Sequence, residues 1–257
     1  MNRMRDLHRT AALVALLPLA ACYQLKVHAQ ASYAQMKVAG DLGYVSSGNS
    51  PVNINQDFES AFGIGDDQGV PYGRLSIDTG VPVIAVSGFR FDEQGQGVLQ
   101  ADFGNNLQAG VRVLTDLDFT NVKASYALRI TLGPVKISPG LAVDYFDFHF
   151  QARDTIGIAT ENVDLQAPVP MGFVRAEVDL GVVSAVGEVG YIKANIQDVT
   201  ASLLDVEALL QVRPKKWFDL FVGYRSVRID AKGIVDGNQF NTDLTISGFL
   251  VGGGFTF

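Results

Sequence analysis

A single cysteine, Cys22, stands in 257 residues, which excludes a disulfide framework. No Cys/His cluster has the spacing of a structural zinc site, so no metal and no cofactor is expected. Charged side chains are scarce: 18% of the chain, against about a quarter in an average soluble domain. A disordered chain would show the reverse, being charge-rich and poor in Val, Ile, Leu and Phe. Basic excess is missing as well. With 20 Lys+Arg against 27 Asp+Glu, the net charge of −7 excludes a typical nucleic-acid binder. No apolar run approaches the ~20 residues a membrane-spanning helix needs. No Gly-x-Ser-x-Gly nucleophile elbow occurs, and Gly252-Gly253-Gly254 leads to no helix that could cradle a phosphate.

What is present begins with an address label. Arg3, Arg5 and Arg9 precede an apolar stretch from Ala11 to Leu19, and small residues follow, the layout of a secretory signal peptide. Leu19-Ala20-Ala21-Cys22 resembles the bacterial lipobox, which implies cleavage before Cys22 and lipidation of its sulfur. An ordinary signal peptide cut at Ala29-Gln30-Ala31 is the alternative. The lipobox reading divides the chain into a signal peptide (1–21), a periplasmic tether (22–32) and one further domain (33–257). Removing residues 1–21 takes away three Arg and one Asp, leaving 17 basic and 26 acidic residues.

The remainder alternates with period two, the mark of strands with two unlike faces. Val174, Ala176, Val178, Leu180 and Val182 alternate with Arg175, Glu177, Asp179 and Gly181. Leu204, Val206, Ala208, Leu210 and Val212 do the same around Asp205, Glu207, Gln211 and Arg213, with Leu209 out of step. Candidate strands fall at 33–46, 71–79, 83–93, 107–132, 135–154, 170–182, 185–196, 201–213, 217–232 and 241–257. In a soluble sandwich or lipocalin-like cup the apolar face would be the core; in an outer-membrane barrel it would meet lipid. The links decide for the barrel, because short turns such as Gly133-Pro134 alternate with long loops such as Asn49 to Gly69 and Thr155 to Val169. The expected fold is therefore an all-β antiparallel transmembrane barrel of about ten strands, in the outer membrane, lipid-anchored at its periplasmic side.

The chain ends on Phe257. Gly252, Phe255 and Phe257 resemble the closing-strand signal read by the outer-membrane assembly machinery, with Leu250 departing from the usual polar position. That machinery, together with outer-membrane lipid and lipopolysaccharide, is the implied set of partners. Trp217 beside Lys215 and Lys216 suits an interfacial aromatic girdle.

From residue 107 onward the order of features resembles a family of small outer-membrane β-barrels of Gram-negative bacteria without assigned activity. The segments concerned are Asp116-Leu117-Asp118-Phe119-Thr120, Pro168-Val169-Pro170-Met171, Gly190-Tyr191-Ile192, Ala208-Leu209-Leu210, Gly223-Tyr224-Arg225 and Asp243 to Phe249. The resemblance implies fold and compartment and lends no catalytic residue.

Ten strands enclose an interior close to the size that side chains fill. Parity assigns to it Lys37, Asp41, Lys123, Arg129, Asp147, His149, Arg153, Arg175, Glu177, Asp179, Asp205, Glu207, Arg213 and Arg225. Their charges nearly balance, which favours an ion-paired plug and a structural or surface-interaction role over a narrow pore for ions or very small solutes. One catalytic constellation is conceivable. Asp116 and Asp118 face Asp147 and His149 across the Gly133-Pro134 turn, which resembles the paired acids and Asp-His pair of the omptin outer-membrane proteases. The departures are that these pairs sit on adjacent strands, and that Leu117 and Phe119 share the parity of Lys123. Clustered rim carboxylates also bind a hard cation such as Ca²⁺ weakly.

Overall fold

The computed structural model describes residues 25–46, 55–196, 199–235 and 238–257. In chain order they form β1 (Lys26–Ser46), β2 (Gln56–Asp57), the helix α1 (Phe58–Phe62), β3 (Gln68–Asp78), β4 (Pro82–Val98), β5 (Arg112–Leu128) and β6 (Ile130–Leu132). There follow β7 (Val135–Asp154), β8 (Thr160–Asp179), β9 (Val183–Ile196), β10 (Val199–Lys215), β11 (Phe218–Val235) and β12 (Asn238–Thr256). Each long strand pairs antiparallel with the next, and β12 returns to β1 in a continuous register from His28↔Thr256 to Ser46↔Asn238. β6 continues β5 past Arg129, whose N–H turns aside to Val81 O at 2.7 Å. With β2 only a two-residue spur on β1, the wall is a closed antiparallel barrel of ten staves. In the lower half, where every stave pairs with both neighbours, closure removes the free edges that an open sheet would expose.

The lower turns at 79–81, 133–134, 180–182 and 216–217 share a rim with both ends of the wall, where Val27 and Phe257 exchange backbone hydrogen bonds. Above that rim the outer surface is apolar. Leu210 is 49% exposed, Val251 62% and Leu141 71%, and Val174, Val178, Leu204 and Phe255 also face outward. These side chains do not lie between two layers, so the sandwich is ruled out. In water such a continuous apolar surface would be a severe liability; against lipid it is the required one.

The strands are longer than a bilayer requires. A membrane strand takes about 9–11 residues, whereas β7 and β8 have 20 each and β1 has 21. At about 3.4 Å per residue and a tilt near 40°, twenty residues rise roughly 50 Å, about twice the usual ~25 Å apolar band. The upper half is accordingly a collar, and in it the polarity of the two faces is exchanged. Outside stand Arg90 with Asp118, His149 with Asp164, and Arg228 with Asp243. Inside, Phe91, Phe119, Phe146, Phe148 and Phe150 are buried beside Met36, Val38 and Leu42.

α1 and the loop 99–111 close the collar from above. Asp57 caps α1 by accepting the Ser60 N–H at 2.8 Å, and Gly63 ends it at φ 70°. Phe62 meets Phe150 edge-on at 4.9 Å and Phe103 at 5.3 Å. The helix lies flush against β4 because Gly95 and Gly97 have no side chains: a Cβ on Gly97 would lie 2.1 Å from Ala61 O, and one on Gly95 2.2 Å from Gly63 O. Glu93 fixes the following loop by accepting the Gly65 and Asp66 N–H groups at 2.8 Å each.

Three expected boundaries need correction. The wall starts at Lys26, so residues 26–32 are strand and not tether, and His28 lies in the barrel. The expected long link Thr155 to Val169 is mostly β8, and the connection left is residues 155–159. The expected link Gln94 to Asn106 likewise begins in β4. The collar strands lack an apolar outer face, so they resemble loops in sequence. The substitution Gly97→Val is expected to unseat α1 while leaving the wall intact. Limited proteolysis should then cut within residues 55–67 with heat-modifiable gel migration preserved; an unchanged cleavage pattern would show that α1 does not rest on this glycine.

Candidate functional site

The membrane-level interior is built by side chains that alternate inward and outward along the staves. Tyr72 and Arg74 point inward from β3 between outward Gly73 and Leu75, and Lys123 does so from β5 between Val122 and Ala124. Glu188 comes from β9, Asp205 and Glu207 from β10, and Arg225 from β11. Arg225 is wholly buried and acts as the hub. Its Nη2 donates to Asp205 Oδ2 and Asn121 Oδ1, each at 2.7 Å, and its Nη1 donates to Ser87 Oγ at 3.0 Å and Glu207 Oε2 at 3.2 Å. Lys123 Nζ lies 3.1 Å from Asp205 Oδ1 and 3.3 Å from Glu188 Oε2. Arg74 pairs with both Glu188 and Glu207, and Tyr72 donates its hydroxyl to Glu207 Oε2 at 2.8 Å.

Below the hub a second tier faces the lower rim. Arg175 reaches Glu188 Oε1 at 2.7 Å, Lys136 reaches Glu177 at 2.9 Å and Asp179 at 3.1 Å, Arg213 reaches Asp179 at 2.9 Å, and Arg129 pairs with Asp78. His28 Nε2 lies 2.6 Å from Asp219 Oδ2, which closes the base. Above the hub the ceiling is aromatic: the Arg225 guanidinium carbon lies 5.4 Å from the Phe89 ring centre and 5.7 Å from that of Tyr72. In the hub tier Arg74, Lys123 and Arg225 are matched by Glu188, Asp205 and Glu207. Pairing of this kind is obligatory, because an isolated buried charge costs several kcal/mol. Asp144 is held differently, accepting one long hydrogen bond from Asn121 at 3.4 Å.

Of the residues assigned to the lumen by parity, the structure places Lys123, Arg129, Arg175, Glu177, Asp179, Asp205, Glu207, Arg213 and Arg225 on the inner wall. Asp147 and Arg153 are corrections, as are Lys37, Asp41 and His149: on these strands the inner positions belong to Phe146, Phe148, Ala152, Met36, Val38 and Leu42. The cause is the collar, where an apolar residue no longer signals lipid and a charge no longer signals lumen. Sequence reading missed Arg74, Asp78, Lys136, Asp144, Glu188 and Asp219. Arg74 had a usable signal in its alternation with Leu75 and Ile77; Glu188, between Gly187 and Val189 with Gly190 next, had little.

The four rim residues of the omptin-like arrangement are brought near one another in register, with Asp118 opposite His149 and Asp116 opposite Gln151. All four lie on the outer wall. Asp118 is taken up by Arg90, Asp116 by Gln94, Asp147 by Gln166 at 3.0 Å and His149 by Asp164. They form no constellation facing the lumen, and among the described residues no group of His, Cys, Asp and Glu is arranged to hold a metal ion. At the lower rim Phe255 stacks on Trp217 at 6.0 Å, and Phe257 is exposed. Gly252 lets β12 approach β1, since a Cβ there would lie 2.2 Å from Ala31 O. Cys22 and the expected signal peptide, residues 1–21, lie outside the described residues.

Replacing Arg225 by Leu takes from Asp205 and from Glu207 one of the two cations each is paired with and removes the donor to Asn121 and Ser87, and an expected loss of about 3–5 kcal/mol should appear in urea unfolding of the folded barrel in micelles. Arg228→Ala, on the exposed pair with Asp243, should leave the same midpoint unchanged.

No protein-family model matches this sequence, and no curated protein sequence does. Among solved structures the chain is similar to the outer membrane protease OmpT of Escherichia coli, with 11% identity, a TM-score of 0.55, and coverage of 90% of this chain and 97% of that one. It also matches Ail, the attachment invasion locus protein of Yersinia pestis, at 12% identity and a TM-score of 0.38, over 91% of this chain and 99% of that one. At 11% identity the OmpT likeness speaks for architecture alone: the fold is that of the outer-membrane β-barrels.

Proposed function

We propose that this chain is an outer-membrane lipoprotein whose barrel is a sealed platform, carrying a rigid rim for contacts outside the cell and conducting nothing. The observation that carries this reading is the Arg225 hub. It has no exposed surface and ties β4, β5, β10 and β11 together across the lumen, with β3 and β9 joined through the carboxylates that Arg74 and Lys123 share. The aromatic layer and α1 stand above it as a second closure. A narrow pore would need a water-lined path past both, and the hub tier balances its charges instead of offering one sign to a passing ion.

Support for the location comes from the apolar outer band and the closed wall, and support for the anchor from the start of β1. A cut at Ala29-Gln30-Ala31 would remove strand residues that pair with both β3 and β12. A cut before Cys22 would leave the whole of β1 and place the acyl chains within a few residues of the lower rim. Two or three such chains suffice for stable anchoring. The Trp217–Phe255 stack at that rim suits an interfacial girdle.

Purified protein in planar bilayers should give no steady unitary current; reproducible single-channel steps would overturn the sealed-platform reading. In cells, labelled palmitate should enter the parent protein and not Cys22→Ser, and an unlabelled parent would overturn the anchor.

A further inference from the structure

The wall is not continuous in the collar. β8 and β9 are paired only from Asp179↔Ser184 to Gly172↔Tyr191. Beyond that, residues 160–171 of β8 pair with β7 alone and residues 192–196 of β9 with β10 alone. A comparable parting occurs between β3 and β4, which pair only up to Tyr72↔Phe89. That one is covered: the turn after α1 lies on Gly95, and Glu93 holds Gly65 and Asp66. No described element covers the β8–β9 seam.

Behind the seam lies a cavity of about 340 Å³. Its walls include Leu42, Phe146, Phe148, Val163, Ile229 and Leu244, all apolar. Its lining takes in both faces of one strand, inner Val163 and Leu165 together with outer Asn162 and Asp164, so the free edge of β8 forms its lip. Leu165 is 45% exposed although it stands on the inner face, which marks where the cavity opens. Thr242, whose hydroxyl donates to Asp41 O at 3.2 Å, and Asn162, whose Oδ1 accepts from Gln151 at 3.0 Å, stand as uncharged polar groups at the lining, and the Asp164 carboxylate is engaged by His149.

We propose that this cavity binds a small amphipathic organic molecule, an aliphatic chain or single aromatic ring with an uncharged hydrogen-bonding head, admitted through the seam between β8 and β9. The volume is that of a small-molecule pocket, and so is the combination of apolar walls with a few polar groups. Asp164 at the lip disfavours an anionic head. The cavity stands above the ion-paired tier, so its occupancy does not depend on whether the lumen conducts.

The test uses protein in lipid nanodiscs, methyl-labelled at Leu, Val and Ile and titrated with 1-octanol. Saturable shifts are expected at Leu42, Val163, Ile229 and Leu244, while lipid-facing Leu210, Val222 and Val251 report plain partitioning into the bilayer. Leu165→Arg, at an already exposed position, should weaken the saturable binding at least about tenfold by placing a charge in the entrance. Sodium octanoate should bind more weakly than octanol. Unsaturable shifts common to both methyl sets would overturn the proposal, as would an affinity indifferent to Leu165→Arg in a barrel that still shows heat-modifiable migration. The mapping on the parent protein decides the matter without any variant.

Discussion

A closed wall of ten strands encloses a space that side chains must occupy, and at membrane depth those side chains are charged. Everything else follows from the need to match them. Arg225 can lie wholly buried only because Asp205, Glu207, Asn121 and Ser87 converge on its guanidinium from three other staves. Lys123 and Arg74 share the same carboxylates, so each ion is held by more than one partner. Such an interior is weak evidence for stability, since apolar packing of equal volume would often do as well. What it gains is a fixed register, because a slip by one residue would turn Glu207 to lipid and Ala208 inward.

The collar obeys the opposite rule with the same backbone. Along β7, Asp144 lies inside with Tyr145 outside at membrane level, and a few residues higher Phe150 lies inside with His149 outside. The parity of the strand never changes; the surroundings do. Lipid demands apolar residues outside and leaves the lumen to ion pairs, while water above the membrane asks for an ordinary apolar core. The barrel is thus a membrane protein below and resembles a small soluble β-barrel above, with Phe89 and Phe119 at the junction.

This exchange explains what could be read from the sequence. The fold was legible from alternation in segments such as 174–182 and 204–212, and so were Arg175, Glu177, Asp205 and Glu207, because these strands cross lipid. Lys37, Asp41, Asp147 and Arg153 were assigned to the wrong face because a single rule, charge inside, was carried past the height at which it holds. Leu117 and Phe119 gave warning of this, since they keep the parity of Lys123. Arg74 was legible and overlooked. Glu188 and the plugging role of α1 were not legible: the first lies among glycines, and the second depends on Gly95 and Gly97 meeting α1 across a gap of sequence.

The length of the staves also sets a distance. Strands of 20 residues leave roughly 25 Å of wall above the hydrocarbon, whereas the headgroup layer on one side is only about 7 Å deep. The Phe62–Phe103 contact near the mouth is therefore held well clear of the lipid headgroups by strand-paired wall. A bulky macromolecule unable to approach the bilayer closely could still touch this rim, and would find it at a constant height and orientation.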